Sequence, residues 1–196
     1  HYISAALAFM LGKVDKPVIV TAYQRSIDRG SSDAFMNRIC SVKAATSRKG
    51  GVGVCMHANS DDDYCHLLNP AKVRKMHTSR RDAFQPINCL AYAHVYPNRI
   101  VEVSQRPEYT CSGYIGFDKK VGYLQVYPGM DPALVEYFID KKYKGLVIGA
   151  TALGHVPTGK KSLLPAIKKA VKSGMLVVIV SATLYGRVNP YVYTNL

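Results

Sequence analysis

The sequence predicts an α/β protein made of two α/β domains with mainly parallel sheets, and three observations carry the prediction. Short apolar, β-branched runs alternate with helix-length segments. A stretch rich in Pro, Gly, Ser and charge interrupts the alternation at 105–120. The alternation then restarts. The expected organisation is a first domain over 1–104, a linker over 105–120 and a smaller α/β domain over 121–196.

His1 to Leu11 reads as a helix. Pro17 to Thr21 (PVIVT) is a short β-branched run suited to a buried parallel strand. Gln24 to Ser32 is polar and turn-rich, and Asp33 to Ser47 has helical spacing with Ser31 or Ser32 as N-cap. Val52 to Met56 reads as a second buried strand, and Leu90 to Val103 carries two more strand-like runs. Beyond the linker come a strand at Tyr123 to Tyr127, a Pro128-Gly129 turn and a helix from Asp131 to Lys142. Asp131-Pro132 reads there as an N-cap followed by proline at the first helical position. A strand at Leu146 to Ile148, a helix at Ser162 to Ser173 and a strand at Leu176 to Val180 complete the series. In such a sheet, ligands are expected in the loops that follow the carboxyl ends of strands.

Hydrophobic residues make up 48% of the 196, enough for a packed core. No apolar run approaches the roughly 18 residues that span a bilayer, and no signal peptide is recognisable. The expectation is a soluble protein without membrane contact. The chain does not begin with Met, HYISAALAFMLGK reads as the interior of a helix, and YVYTNL stops without a terminating element. Both ends therefore read as internal to a longer chain.

Lysine and arginine number 26 against 13 acidic residues, a net charge of +13. That excess suits either an anionic partner or a basic solvated surface. Five widely spaced cysteines (Cys40, Cys55, Cys65, Cys89, Cys111) form no C-x-x-C, which fits reduced thiols better than a disulfide framework.

Several segments invite a chemical reading. Gly154 to Lys161 (GHVPTGKK) nearly matches the phosphate-binding pattern. Lys161 stands where the Mg²⁺-binding hydroxyl belongs, and Pro157 removes a loop donor, so an ordinary strand-to-helix loop fits better. Cys55, His57, Cys65 and His66 are zinc-ligand types at an unsuitable spacing, and a buried thiol with loop histidines explains them more simply. Asp61-Asp62-Asp63 is a cation site or, more commonly, a solvated turn. Val73 to Asn88 (VRKMHTSRRDAFQPIN) is dense in catalytically capable groups. Lys75 there follows a strand-like stretch among Arg74, Arg80 and Arg81, and a neutral lysine is a competent general base; the plainer reading is a basic loop. Thr21 to Asp33 (TAYQRSIDRGSSD) occupies a ligand-loop position after a buried strand, or is a plain polar connection.

Taken together, KPVIVTAYQRSIDRGSSDAF and KMHTSRRDAFQPIN resemble the type I/II asparaginase family. DDDYCHLLNPAKVRKMHTSRRDAFQPIN is similar, within that family, to the D subunits of archaeal glutamyl-tRNA(Gln) amidotransferases, and GHVPT and LYGRVNPYVY resemble their second domain. The resemblance implies an asparaginase-like pair of α/β domains with the active site in the larger. It implies a glutamine amidohydrolase in which a threonine hydroxyl attacks the side-chain carboxamide and ammonia leaves from an acyl-enzyme. The ammonia then passes to an E subunit that converts Glu-tRNA(Gln) to Gln-tRNA(Gln). By the same resemblance Lys75 is the catalytic lysine, and Ala22 and Tyr23 lie at the substrate. The threonines and the aspartate that complete the site belong to motifs upstream of His1, so this stretch alone is expected to be inactive. No cofactor is implied in this subunit; ATP and Mg²⁺ belong to the partner. L-glutamine, the E subunit, tRNA(Gln) through the complex and a second copy in a homodimer are the implied partners, in the cytoplasm. A cytosolic L-asparaginase and a degenerate docking module for a partner or tRNA are the alternatives.

The chain departs from the family pattern in places. Ala22-Tyr23 replaces a usual Gly-Ala, which would crowd the substrate amide. Gly149-Ala150-Thr151-Ala152 carries alanines where glycines are expected, and Ala182-Thr183 replaces a Gln-Cys pair. Alanine at a position needing positive φ would be strained.

Overall fold

The computed structural model describes residues 1–47, 49–110 and 116–192, so Cys111 and Tyr193 of the segments above lie outside the described residues. The chain divides into two compact units, His1–Gly116 and Phe117–Leu196. The division falls within the segment expected as a linker, of which 111–115 are not described.

The first unit opens with α1 (Tyr2–Leu11), which turns Ser4 and Ala8 inward. Strand β1 (Pro17–Val20) and helix α2 (Ala34–Ala45) follow, then β2 (Gly51–His57), β3 (Cys65–Leu68), β4 (Val73–Lys75), β5 (Phe84–Pro86), β6 (Ala93–Val95) and β7 (Ile100–Glu102). Five strands form one sheet in the order β1-β2-β3-β6-β7, and β4 and β5 make a separate hairpin. β1 pairs with β2 in parallel, with Val18 beside Val52 and Val20 beside Val54. The other pairings of this sheet are antiparallel, so it is mixed rather than mainly parallel. Only the β1–β2 link holds a helix; 58–64 and 96–99 are too short for the dozen or more residues a parallel crossover needs, and the longer 69–92 link between β3 and β6 holds the β4–β5 hairpin in place of a crossover helix.

Two apolar clusters line the sheet. Cys40 and Ala44 of α2 meet Cys55, Cys65, Leu67, Ala93 and Val95 in one. Val54, Met56 and Leu68 meet Val73, Ala83 and Phe84 of the hairpin in the other. β2 contributes to both, which is why GVGVCMH reads as a continuous buried run rather than an alternating one. Gly53 is required by packing: a Cβ there would lie 2.1 Å from the hydroxyl of buried Tyr92.

The second unit comprises β8 (Val121–Gln125), α3 (Ala133–Asp140), β9 (Gly145–Ala150), α4 (Leu164–Lys172) and β10 (Leu176–Ser181). Its sheet is wholly parallel, in the order β10-β9-β8, with Val121, Gly145 and Leu176 level at its start. Val126, Met130, Val135, Leu146, Ile148, Leu163, Ala166 and Ala170 form its core. The expected Asp131 cap is present as a side-chain bond: Oδ1 accepts from the Ala133 amide at 2.9 Å.

The anticipated strain is located at one alanine. Ala152 has φ of 43°, while Ala150 continues β9 as an ordinary strand residue. A side chain in the left-handed region costs about 1–2 kcal/mol, offset in part by the freedom a glycine adds to the unfolded chain. Ala152→Gly is therefore expected to stabilise this unit by about 0.5–1 kcal/mol in urea denaturation, whereas Ala150→Gly destabilises it.

Candidate functional site

The chemistry-bearing residues of the first unit gather where β1 and β2 end. The backbone leaves β1 through Thr21, Ala22 and Tyr23, and Thr21 Oγ1 donates to the Cys55 carbonyl of β2 at 2.9 Å. Asp33, just before α2, is fully buried. Its carboxylate accepts from the Gln24 amide at 2.8 Å and the Arg25 amide at 3.0 Å, folding the 22–33 loop back onto the helix start. Ser32 Oγ donates to the Arg25 carbonyl at 2.9 Å and closes the same loop.

Asn37, one turn along α2, joins this loop to the sheet. Its Nδ2 donates to Asp33 at 2.9 Å and to the Ala22 carbonyl at 2.8 Å. Both amide hydrogens are thereby used, which leaves Oδ1 to accept from His57 Nδ1 at 2.6 Å and from the Cys65 thiol at 3.4 Å. His57, the last residue of β2, is fully buried. Its Nε2 lies 3.2 Å from both Asp62 Oδ1 and Arg81 Nη2. Arg81 also pairs with Asp62 and donates to the Ser60 carbonyl at 2.8 Å. A continuous polar chain thus runs Asp33, Asn37, His57, Asp62, Arg81.

Arg81 sits in the loop of the β4–β5 hairpin, so the chain ends at the segment that bears Lys75. Lys75 is the last residue of β4, opposite Phe84 in register, and is exposed. It forms no side-chain ion pair among the described residues. The positive charge expected around it is largely matched. Arg80 Nε donates to Asp82 at 2.7 Å, which holds the Asp82 carboxyl below its ordinary value, and Arg81 is matched by Asp62. Arg25 Nε reaches the Ser79 carbonyl at 3.4 Å and ties the two loops directly. The His1 ring lies 6.3 Å from that of Phe84, which places the first residue beside the strand pair that carries Lys75. Tyr23 does not pack inward; it is 57% exposed.

The remaining motifs take structural places. Cys55 and Cys65 are buried thiols, and hydrogen bonding to Cys40 and Cys55 together with burial pushes the Cys65 thiol up. His57 is held in the polar chain, and His66 stacks on His94 across β3 and β6 at 5.1 Å. Among the described residues no group of three or more His, Cys, Asp or Glu is arranged for a metal ion. Asp61–Asp63 is an exposed turn in which Asp62 works as the Arg81 partner. In the phosphate-loop look-alike, the amides of Gly154 and His155 both bond the Thr151 carbonyl at 2.9 Å, so they are turned away from any bound anion.

Asp33, Asn37 and their buried bonds escape a reading based on motifs. The available signal is positional: 33, 37 and 41 are polar yet share the inward stripe of α2 with Ala34, Cys40 and Ala44. Asp33→Ala would leave the Gln24 and Arg25 amides and one Asn37 hydrogen without acceptors. A loss of about 3 kcal/mol is expected in urea denaturation, with a smaller loss for Asp33→Asn.

Burial, aided by repulsion from His94, lowers His66 to about 4. A histidine whose folded value lies below its unfolded one binds protons more readily when unfolded. Stability from this group is therefore complete above about pH 6.5 and is lost progressively as pH falls toward 4. His66→Phe should flatten the decline of melting temperature across that window.

Comparison with known proteins identifies the family. The family model described as asparaginase, N-terminal, matches residues 1–109, and that of the glutaminase/asparaginase C-terminal domain matches 120–195. The D subunit of the glutamyl-tRNA(Gln) amidotransferase from Pyrococcus abyssi is 44% identical over 99% of this chain and 45% of its own length. Its counterpart from Methanothermobacter thermautotrophicus is 46% identical over 100% of this chain and 45% of its own. The chain thus spans under half the length of these curated relatives. The solved structure of the thermostable L-asparaginase from Thermococcus kodakarensis superposes with a TM-score of 0.84 at 25% identity, covering 98% of this chain and 57% of that one. With both of its domain models matched along nearly the whole sequence, the chain belongs to the asparaginase family.

Proposed function

We propose that the chain is part of a glutaminase subunit that supplies ammonia to a tRNA-dependent amidotransferase. The single observation that carries this reading is the shared frame of the two loops. The Ala22 carbonyl and the hairpin loop that follows Lys75 are joined by one hydrogen-bonded chain that runs through Asn37, His57 and Arg81. Identity of 44% and 46% to the D subunits of two glutamyl-tRNA(Gln) amidotransferases favours this role over that of a free L-asparaginase.

In the proposed reaction a threonine hydroxyl supplied by the complete protein attacks the carboxamide carbon of L-glutamine. Lys75 takes the hydroxyl proton as general base and returns it to the carboxamide nitrogen, which departs as ammonia, and water then hydrolyses the acyl-threonine to glutamate and frees the threonine hydroxyl. Ala22 and Tyr23 line the substrate side of the β1 loop. The residues that complete the site belong, on this reading, to motifs that precede His1. An aspartate and a second threonine would come from the same preceding residues. The ammonia would pass to an E subunit that uses ATP and Mg²⁺ on Glu-tRNA(Gln), within a cytoplasmic assembly in which this subunit forms a homodimer. No described helix is long and apolar enough to cross a membrane.

Glutaminase assay of the full-length protein tests the role. Lys75→Ala is expected to lower kcat by at least about two orders of magnitude, the scale of a proton-transfer residue, with the fold unchanged by circular dichroism. Wild-type turnover in that variant would remove the assignment.

A further inference from the structure

We propose that the amino-terminal edge of the second unit's sheet is a docking surface for the phosphate backbone of a folded RNA. This deepens the amidotransferase reading, on which the choice of RNA as the anionic partner rests. Val121, Gly145 and Leu176 start their strands at the same level, so the residues just before them form one rim. The rim is closed by backbone bonds: the Lys144 amide donates to the Lys120 carbonyl at 2.8 Å, and the Leu176 amide to the Lys144 carbonyl at 2.9 Å. Each helix runs back against the strands, so α3 and α4 both end at this rim.

Six exposed lysines stand there: Lys119, Lys120, Lys141, Lys142, Lys144 and Lys172. Asp118 and Asp140 are the nearby acids by sequence, and Asp118 pairs with Lys144 at 2.9 Å. A surplus of four positive charges remains. Lysines at helix ends normally offset the macrodipole, but two carboxyl ends amount to only about one negative charge, well short of this surplus. Two of the lysines are also held in place. Lys120 Nζ donates to the Lys141 carbonyl at 3.1 Å and lies 5.1 Å from the centre of the Tyr143 ring, and Lys141 lies 6.0 Å from that of Tyr137. Anchored cations lose less freedom on binding a chain of phosphates than free ones do. The rim lies at the opposite end of the strands from the Thr151–Ser162 loop that follows β9, so it is separate from any ligand held at the carboxyl ends.

The test uses the full-length protein and a fluorescent transfer RNA transcript, with anisotropy read at several KCl concentrations. The combined variant Lys119→Gln, Lys141→Gln, Lys142→Gln, Lys172→Gln leaves the structural Lys120 and Lys144 in place. It is expected to weaken Kd by at least about tenfold and to reduce the slope of log K against log salt by about 2–3, while glutaminase turnover on free glutamine stays unchanged. The same four positions changed to Arg should retain affinity, which separates charge from misfolding. Lys13→Gln with Lys16→Gln, in the first unit, should change Kd less than about twofold. Unchanged RNA affinity in the Gln variant, or an equal loss in the first-unit control, would overturn the proposal. So would loss of partner-subunit binding with RNA affinity intact, which would mark a protein-docking surface instead. Failure here leaves Lys75 untouched, and the Lys75→Ala assay reports on that site alone.

Discussion

The buried carboxylate of Asp33 and the amide of Asn37 are the constraint on which the candidate site depends. A carboxylate removed from water is tolerated only when its oxygens are bonded. Here they are satisfied by two backbone amides of the very loop that must be positioned and by an amide of the helix behind it. The same Asn37 side chain then spans from helix to loop to sheet, so none of the three is set independently of the others. The apolar clusters supply most of the folding free energy, but they are non-directional. The polar chain supplies direction: it fixes where the β1 loop lies relative to the hairpin.

Much of the fold was legible in the sequence because local and long-range signals agree there. PVIVT and the run around Val54 are β-branched and flanked by turns, and both are strands. The helices at 34–45, 133–140 and 164–172 fall within their expected spans. The strand-like stretch leading to Lys75 is β4, but β3 and β5 were not separable from loop, since each is short and carries polar residues that only tertiary pairing holds extended. The mixed pairing of the first sheet was equally hidden, because β3, the strand that joins β2 to β6, had not been recognised.

For the site, the residue types of 73–88 and 21–33 pointed to the right segments, while the interactions joining them did not show. His57 and Asp62 looked like metal-ligand types, yet each is spent on a neighbour. Arg80 and Arg81 looked like uncompensated charge, yet each has a carboxylate. Sequence lists the charges but not their partners, and partners decide both electrostatics and position. The alanine at 152 is the reverse case: a departure from the family pattern in the 149–152 loop marked a segment in which one of two alanines has a strained backbone angle.

The clasp of Arg81 on Asp62 and Ser60 has a further consequence for how this protein tolerates change in length. Connections on a protein surface usually accept insertions at little thermodynamic cost. The 58–64 turn cannot, because an added residue would carry Asp62 away from its guanidinium and swing the hairpin tip with it. The 96–99 turn carries no such tether to the site among the described residues, so homologous chains should vary in length there and hold it constant at 58–64.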